Sequence, residues 1–250
     1  MNIRGIMFDL NGTLININTD ESYHEIYRFL ANLLIYQGIQ LSPEELRDLY
    51  FRLMKTQRRS SVEQYPEFDV VGIFRDIIEK HGTRYTRSLC YTKAKNLPLF
   101  LAEAYRAASL NRLEIYPGVM DTLDDLIKCY KLTAVTDGQS PWALAELRGV
   151  GLGIYFPEII ASGDLGYRKP DRRIFDLALR KLRLPADQVV FVGNDMYRDI
   201  FGAQQLGMKT VFFRSNQGGQ HHQRVNPDYI ISYFPELLDA LYFFKKNGDM

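Results

Sequence analysis

The apolar residues of this chain fall into two kinds of pattern. Short continuous apolar runs bounded by turn residues are typical of buried strands, whereas apolar residues recurring every three or four positions are typical of amphipathic helices. Near the start of the chain, Ile3, Ile6, Met7 and Phe8 make a short apolar run. It stops at Asp9, and the turn sequence Asn11-Gly12-Thr13 follows. We therefore expect a buried strand that carries Asp9 at its C-terminal end.

The helical pattern dominates the next part of the chain. It predicts helices within residues 26–51, at about 70–80 and at about 98–110. Ser42-Pro43-Glu44-Glu45 is typical of a helix start, with proline at the first helical position. We predict that residues 15–112 form a helical insertion that interrupts a core made of residues 1–14 and 113–250.

Beyond Tyr116-Pro117-Gly118, helices and strands alternate. The predicted strands are 132–135, 158–161, 189–192, 210–213 and 229–231, and the predicted helices are 119–129, 142–148, 172–182, 200–206 and 235–244. Such alternation specifies a parallel sheet with helices on both faces. The predicted fold class is therefore α/β, a three-layer αβα Rossmann-like core with an inserted α-helical domain. Active sites of open parallel sheets form at the carboxyl ends of their strands.

Composition excludes several classes of function. The 31 basic and 30 acidic residues nearly cancel, which argues against a nucleic-acid or anionic-membrane partner. No signal peptide and no apolar stretch of about 20 residues is evident, so we expect a cytoplasmic protein. Cys90 and Cys129 lie in no metal-binding pattern, and we expect both to be reduced, buried thiols. His221 and His222 lack a third ligand at suitable spacing and are expected in a solvated loop.

Polar clusters follow several of the predicted strands. Each cluster alone has an ordinary explanation as a turn, a strand end, a solvated lysine or a helix cap. Because the carboxyl ends of parallel strands meet at one crevice, their joint order favours a shared functional site. The clusters are Asp9 with Thr13, Thr136 with Asp137-Gly138, Lys169-Pro170, and Asn194-Asp195 with Asp199.

These clusters resemble the motifs of a known family. The segments are Phe8-Asp9-Leu10-Asn11-Gly12-Thr13-Leu14, Val135-Thr136-Asp137-Gly138, Gly166-Tyr167-Arg168-Lys169-Pro170-Asp171 and Val192-Gly193-Asn194-Asp195 with Asp199-Ile200. Together they are similar to the haloacid dehalogenase-like hydrolase superfamily across essentially the whole core. In that family a helical cap follows the first strand, so the resemblance implies that residues 15–112 are such a cap.

The resemblance also implies a role for each motif residue. Asp9 corresponds to the nucleophile, and Thr136 and Lys169 to residues that hold the transferred phosphoryl group, with Asp137 and Gly138 beside them. Asp9, the backbone carbonyl of Asn11 and Asp195 correspond to Mg²⁺ ligands, with Asp199 behind them. The expected partner is a small phosphorylated substrate, and the expected assembly is a monomer or a homodimer.

The chemistry of the residue types agrees with these roles. A carboxylate that attacks phosphorus forms an acyl-phosphate and divides one difficult hydrolysis into two easier displacements. Mg²⁺ prefers oxygen ligands and keeps several waters, so a few carboxylate and carbonyl oxygens are sufficient. Lys169 supplies positive charge at the phosphate and offsets repulsion between the carboxylates.

One position departs from the phosphatase pattern. The residue two after the nucleophile is usually an aspartate that protonates the leaving group, and here it is Asn11. General acid–base help is worth about 10²–10⁴-fold in rate. Three explanations stay open: a slow phosphatase, an enzyme whose substrate supplies the proton or needs none, and a catalytically weak or inactive binding or regulatory protein. A 2-haloacid dehalogenase needs no Mg²⁺, and Asp195 and Asp199 count against that reading.

Overall fold

The computed structural model describes residues 2–247, and the chain divides into two compact units. The α/β unit ends its first segment at Ile17 and resumes at Leu113, and the helical unit is Asn18–Arg112. Sequence analysis placed the corresponding boundaries after residues 14 and 112. Residue 1 and residues 248–250 of the predicted core lie outside the described residues.

The helical unit contains five helices around an aromatic core. They are α1 (His24–Ile35), α2 (Pro43–Ser60), α3 (Val70–His81), α4 (Arg84–Arg87) and α5 (Tyr91–Ser109). The predicted start of α2 is confirmed, since the Ser42 hydroxyl accepts the Glu45 N–H and the Glu45 carboxylate accepts the Ser42 N–H. The rings of Tyr50 and Tyr105 pack with centroids 4.5 Å apart, and both are buried.

The predicted start of the last of these helices is wrong. The apolar periodicity predicted a helix from about Pro98. In the structure Pro98 lies inside α5, which begins at Tyr91. The residues before Pro98 are mostly exposed, so they carry little of the apolar periodicity on which the prediction depended.

Residues 2–247 also contain eight strands. They are β1 (Gly5–Phe8), β2 (Ile15–Thr19), β3 (Leu110–Ile115), β4 (Lys131–Thr136), β5 (Ile159–Ala161), β6 (Val189–Gly193), β7 (Lys209–Phe213) and β8 (Tyr229–Ile231). Six of them form one sheet in the order β5-β4-β1-β6-β7-β8, and every pairing in it is parallel. The prediction of a parallel sheet is confirmed. Sequence analysis missed β2 and β3, which form a separate two-stranded sheet.

Helices and aromatic side chains cover both faces of the large sheet. The remaining helices are α6 (Val119–Leu126), α7 (Ser140–Gly149), α8 (Arg172–Leu182), α9 (Gly202–Gln204) and α10 (Leu237–Asn247). On one face, Phe175 of α8 packs on Phe191 of β6 with centroids 5.2 Å apart. On the other face, Phe8 of β1 contacts Phe156 and Phe234. Alternate strand residues point to opposite faces, so the α/β unit has three layers, as predicted.

The register of the central strands brings their carboxyl ends together. Met7 of β1 pairs with Thr133 of β4 on one side and with Phe191 of β6 on the other. The segments that leave β1, β4 and β6 therefore begin at the same edge of the sheet. This edge carries three of the four polar clusters that the sequence singles out.

Two further expectations concern isolated features of the chain. Both cysteines are free but exposed, so the predicted burial of Cys90 and Cys129 is wrong. Each lies at the end of a helix, not on its apolar face: Cys90 precedes α5 and Cys129 follows α6. Within residues 2–247, no helix has both the length and the apolar composition that a membrane crossing requires.

Candidate active site

Asp9 lies at the end of the central strand β1. Its backbone N–H donates to the Val192 carbonyl at 3.0 Å, which fixes it beside the end of β6. The chain then turns sharply, with the N–H groups of Thr13 and Leu14 both donating to the Leu10 carbonyl. Gly12 has a φ of 89° in this turn, a conformation that favours glycine. The Asp9 residue is only 5% exposed, so its carboxylate lies in a largely dry environment.

Lys169 joins Asp9 to a second buried carboxylate. Its Nζ lies 2.6 Å from Asp9 Oδ1 and 2.7 Å from Asp199 Oδ1, and it also donates to the Val135 carbonyl at 3.2 Å. Burial by itself would lower the pKa of Lys169, but the carboxylates of Asp199 and Asp9 outweigh it and raise the pKa. The lysine is therefore charged and holds two carboxylates at one point.

Asp199 ties this lysine to the backbone that leaves β6. Its Oδ2 accepts the N–H groups of Asn194 and Asp195, each at 3.0 Å. Burial raises the pKa of Asp199 to about 6, although the Lys169 charge opposes that shift. Because both oxygens of Asp199 already accept hydrogen bonds, this residue positions Lys169 and the segment after β6.

The segment after β4 contains Thr136, Asp137 and Gly138. Thr136 is buried at the last position of the strand. Asp137 Oδ1 accepts the backbone N–H of Lys169 at 2.9 Å, and burial raises the pKa of this carboxyl. The Gly138 N–H donates to Ser162 Oγ at 3.0 Å, and this hydrogen bond links the segment after β4 to the segment after β5.

Asn194 and Asp195 are neighbours in sequence but make different contacts. The Thr13 hydroxyl lies 3.2 Å from Asp9 Oδ2 and 3.2 Å from Asn194 Oδ1, so Asn194 adjoins the predicted nucleophile. The hydrogen bonds of the Asp195 carboxylate instead come from Arg198, Tyr197 and Gly219. Burial would raise the pKa of Asp195, but the backbone N–H and charge of Arg198, together with the Gly219 N–H, lower it.

The sequence model of the haloacid dehalogenase-like hydrolase family matches residues 3–207. The chain belongs to this family. The match spans the segments after β1, β4 and β6 and also Lys169, which together form the cluster described above. A haloacid dehalogenase-like hydrolase is the kind of protein that the sequence motifs indicated.

Proteins of known function resemble the whole chain. The glyceraldehyde 3-phosphate phosphatase of Methanocaldococcus jannaschii is 25% identical over 246 residues, which cover 98% of this chain and 100% of that protein. The pyrimidine 5′-nucleotidase PynA of Streptococcus pneumoniae is 24% identical, covering 94% of this chain and 94% of that protein. Both relatives have names that describe the removal of a phosphate group.

Solved structures show the same fold. A 2-haloacid dehalogenase from Pseudomonas syringae pv. Tomato DC3000 superposes with a TM-score of 0.67 at 25% identity and covers 97% of this chain and 99% of that one. A phosphatase of the family from Thermococcus onnurineus gives a TM-score of 0.60 at 23% identity, covering 96% of this chain and 98% of that one. One fold is thus shared by a protein named as a dehalogenase and one named as a phosphatase.

The oxygen atoms of the site suit Mg²⁺, the cation that the family resemblance implies. Asn11 Oδ1 is buried and has no hydrogen-bond partner within residues 2–247, which leaves a polar oxygen available in the turn after Asp9. Asp9 and Asn194 add oxygen atoms around Thr13. Hard oxygen donors of this kind fit Mg²⁺. Among the described residues, no three His, Cys, Asp or Glu side chains come together to hold a metal.

Sequence reasoning missed the loop that packs against this site. Gly219 donates its N–H to Asp195 Oδ2 at 2.9 Å and accepts the Met196 N–H through its carbonyl. Gln217 of the same loop donates to Asn16 Oδ1 and to the Ile17 carbonyl. Sequence analysis described this region only as the solvated loop of His221 and His222. No local pattern distinguishes a loop that contacts an active site from one that does not.

Proposed function

We propose that this chain is a Mg²⁺-dependent phosphatase that acts on a small phosphorylated metabolite through an aspartyl-phosphate on Asp9. The observation that carries the proposal is the buried Asp9–Lys169 pair at the carboxyl edge of the sheet, in a member of a hydrolase family. The names of the two relatives support removal of phosphate over other reactions.

In this mechanism an oxygen of Asp9 attacks phosphorus, the phosphorus–oxygen bond of the ester breaks, and the electron pair leaves with the alcohol oxygen. Water then attacks the aspartyl-phosphate, which releases inorganic phosphate and restores Asp9. Lys169 holds Asp9 Oδ1 in place and supplies positive charge beside the transferred group. Thr136, Asp137 and Gly138 belong to the segment that we propose contacts the phosphoryl group.

Asp9 and Asn11 would hold Mg²⁺ from the turn after β1, and the segment after β6 would supply a further oxygen. Bound Mg²⁺ neutralises negative charge on the phosphoryl oxygens. The metal roles predicted for Asp195 and Asp199 stay predictions, because protein donors occupy both carboxylates.

Asn11 cannot protonate the leaving alcohol, so we propose slow turnover of substrates with poor leaving groups. We also propose that the helical unit, residues 18–112, acts as the cap that selects the substrate. Glyceraldehyde 3-phosphate and pyrimidine nucleoside monophosphates are the first substrates to assay, because they are named in the relatives.

The decisive experiment is a screen of phosphorylated metabolites and one activated aryl phosphate with Mg²⁺, by phosphate release. We expect Asp9→Asn to reduce every positive rate to background, because the amide cannot act as the nucleophile. The matched control is Asp125→Asn, since Asp125 is exposed and pairs with Lys128 on the surface. An Asp9→Asn variant as fast as the wild type would disprove the assignment.

A 2-haloacid dehalogenase is the second candidate, favoured by the structural likeness to the Pseudomonas syringae enzyme and by Asn11. Here a carboxylate oxygen of Asp9 would bond to C2 of the substrate, halide would leave with its bonding electrons, and water would hydrolyse the ester. Halide release from 2-chloropropionate in the presence of a chelator, without phosphate release from any ester, would establish this alternative. If neither reaction occurs while Mn²⁺ still binds, the chain is a binding or regulatory protein.

A further inference from the structure

A cavity that the proposed reaction does not use lies among β7, β8 and the segment after β6. We call it the β7–β8 cavity. Its volume is about 600 Å³, which is within the range of pockets that hold small organic molecules. The family match ends at residue 207, so apart from Met196 every residue that lines this cavity lies outside it. The cavity is therefore a feature of this chain that the family motifs do not explain.

The floor of the β7–β8 cavity is apolar. Met196, Phe212 and Val225 line it, and all three belong to one buried core cluster. Ile230 of the edge strand β8 adds apolar surface that is 45% exposed. Binding is favoured when an apolar part of a ligand covers such surface, because both surfaces are then removed from water.

The polar lining carries positive charge. Arg214 and His221 are exposed lining residues, and the described lining includes no Asp or Glu. The Arg214 N–H donates to the Ile231 carbonyl at 2.8 Å, which fixes this residue at the end of β7. Its guanidinium has no hydrogen bond or ion pair within residues 2–247. A guanidinium presents five N–H donors in a planar fork that matches carboxylate and phosphate groups.

Neighbouring carboxylates do not neutralise this arginine. Asp228 accepts Lys209 Nζ at 2.6 Å with one oxygen, and the Thr210 N–H and hydroxyl with the other. The Asp195 carboxylate pairs with Arg198 at 2.9 Å. The charge of Arg214 is therefore available to an anion that enters the cavity.

His222 presents a second polar group to the cavity. Its ring stacks on the ring of Tyr197, with centroids 4.7 Å apart and 14° between the planes. His222 Nδ1 lies 3.1 Å from the Gln223 carbonyl, and a carbonyl only accepts, so Nδ1 carries a hydrogen. This contact leaves Nε2 for a ligand, and a protonated Nε2 donates to an anion.

Hydrogen bonds hold the walls of the cavity in place. The Met196 N–H donates to the Gly219 carbonyl at 2.8 Å, and Gln204 Nε2 donates to the Asn226 carbonyl at 2.7 Å. A ligand that enters a preformed cavity does not have to order the chain around it. Gly219 also donates to Asp195, so the cavity adjoins the loop at the candidate active site.

We propose that the β7–β8 cavity binds a small organic anion that combines one carboxylate or phosphate group with an apolar portion. Arg214 pairs with the anionic group, and Met196, Phe212 and Ile230 cover the apolar portion. Asp9 is not among the lining residues, so this site is separate from the candidate active site. The inference does not depend on the proposed function.

The test is titration of the full chain with 8-anilinonaphthalene-1-sulfonate, an aromatic anion whose fluorescence rises when it leaves water. Chelator is present throughout to prevent turnover. We expect displacement of this probe by 1-naphthoate or 1-naphthyl phosphate, and the tighter of the two identifies the preferred anionic group. 1-Naphthol lacks the charge and inorganic phosphate lacks the ring, so each should displace at least about fivefold more weakly. Displacement by 1-naphthol as strong as by both anions would overturn the proposal.

Variants locate the bound probe. We expect Arg214→Gln to weaken probe binding at least about fivefold, and Ile230→Trp to abolish it by filling the cavity. The matched control is Arg183→Gln, because Arg183 is also exposed and lines a cavity of about 560 Å³ at the amino edge of the sheet. Both test positions are exposed, and circular dichroism checks folding; if one variant does not fold, the other decides. Weaker binding in Arg183→Gln, with Arg214→Gln and Ile230→Trp unchanged, would overturn the proposal.

The outcome is separable from that of the proposed function. Asp9→Asn should bind the probe within about twofold of the wild type, because Asp9 does not line the cavity. A loss of probe binding in Asp9→Asn as large as that in Arg214→Gln would place the probe at the candidate active site and overturn the inference. Probe binding with the expected order of affinities, but without phosphate release from any ester, would leave the inference standing and reject the phosphatase.

Discussion

At Asn11 the site has an amide, which cannot transfer a proton as a carboxylic acid can. Its Oδ1 is buried without a hydrogen-bond partner within residues 2–247, and it belongs to the turn that carries Asp9. An aspartate there would place an ionisable oxygen in the same volume. Asn11→Asp keeps the backbone and nearly the same side-chain shape. A change in rate therefore reports the added acid and not a displaced turn.

We therefore predict that Asn11→Asp raises the turnover of alkyl phosphates at least tenfold. That gain corresponds to a barrier lowered by about 1.4 kcal/mol, within the range of a positioned acid. Activated aryl phosphates should gain less, since their leaving groups need little protonation. Steady-state rates on one alkyl and one aryl ester provide the measurement. Equal gains on both esters would show that the aspartate acts on charge or metal binding and not as an acid.

Lys169 has a structural role that is separable from its chemical role. We predict that Lys169→Met destabilises the fold by about 3–5 kcal/mol at neutral pH, because it leaves Asp9 and Asp199 buried without a cation. The free energy of unfolding, from urea titration, measures this. The control is Lys209→Met, whose partially exposed pair with Asp228 should contribute about 1 kcal/mol or less.

The stability defect of Lys169→Met should depend on pH. Asp199 has a pKa raised to about 6 from 3.8, so the folded state holds a proton that the unfolded state has lost between these values. Its contribution to stability therefore falls as pH rises through this window. Without Lys169 the cost of ionising the buried carboxylates is larger, so the defect of Lys169→Met should grow from about pH 4 to pH 7. A defect independent of pH would mean that lost packing, not charge, is responsible.

At the scale of elements, helix starts show which local signals are reliable. Ser42-Pro43-Glu44-Glu45 marked the start of α2 correctly because the capping box satisfies backbone donors within four residues. The start of α5 was placed too late, at about Pro98, because the exposed residues from Tyr91 onward carry little apolar periodicity. The strands β2 and β3 were missed because polar residues interrupt their apolar positions, so neither has a continuous apolar run.

The start of α8 supplies an element-scale prediction. The Asp171 carboxylate accepts the Arg173 N–H at the helix N-terminus, and the Arg173 side chain and backbone N–H lower its pKa below 3.8 despite partial burial. Asp171→Ala should cost about 1 kcal/mol at pH 7. A group whose pKa is lowered by folding stabilises the folded state fully when the pH is above its pKa in the unfolded state. This contribution is lost as the pH falls through the pKa of the folded state.

The difference between wild type and Asp171→Ala should therefore shrink as pH falls below about 4. Urea titrations at neutral and acidic pH measure it. Asp176→Ala serves as the control and should change stability by less than about 0.5 kcal/mol, because Asp176 lies on the same helix and pairs with Arg172 at 3.6 Å on the surface. A defect of Asp171→Ala that is constant down to about pH 3 would contradict the ionic contribution.

At the scale of the whole molecule, cation binding and folding are linked. If Mg²⁺ binds the folded chain at Asp9, the midpoint of thermal unfolding should rise with Mg²⁺ concentration. The expected stabilisation is about 2.7 kcal/mol at a hundredfold excess over the Kd. A chelator should reverse the shift and abolish phosphate release. Differential scanning fluorimetry measures the midpoint, and Asp9→Asn should show a smaller shift. Equal shifts in both proteins would indicate cation binding elsewhere.

Much of the fold was predictable from the sequence by itself, because it depends on interactions that are local or periodic. The apolar runs of β1, β4, β6 and β7 predicted buried strands, and their alternation with helices predicted a parallel sheet. Since parallel strands end at one edge, the order of the polar clusters also predicted that Asp9 and Lys169 approach each other, and the structure places them 2.6 Å apart.

The tertiary structure alone decided where the individual side chains point beyond those strands. Asn194 and Asp195 are adjacent, and the sequence favoured the charged residue as the metal ligand because carboxylates bind Mg²⁺ well. In the fold, the donors on Asp195 include Gly219, from a loop more than 20 residues away, and the room for Asn194 comes from Gly12 and Gly218. Such partners are distant along the chain, and only packing brings them together, so no local pattern encodes which of the two neighbours faces Asp9.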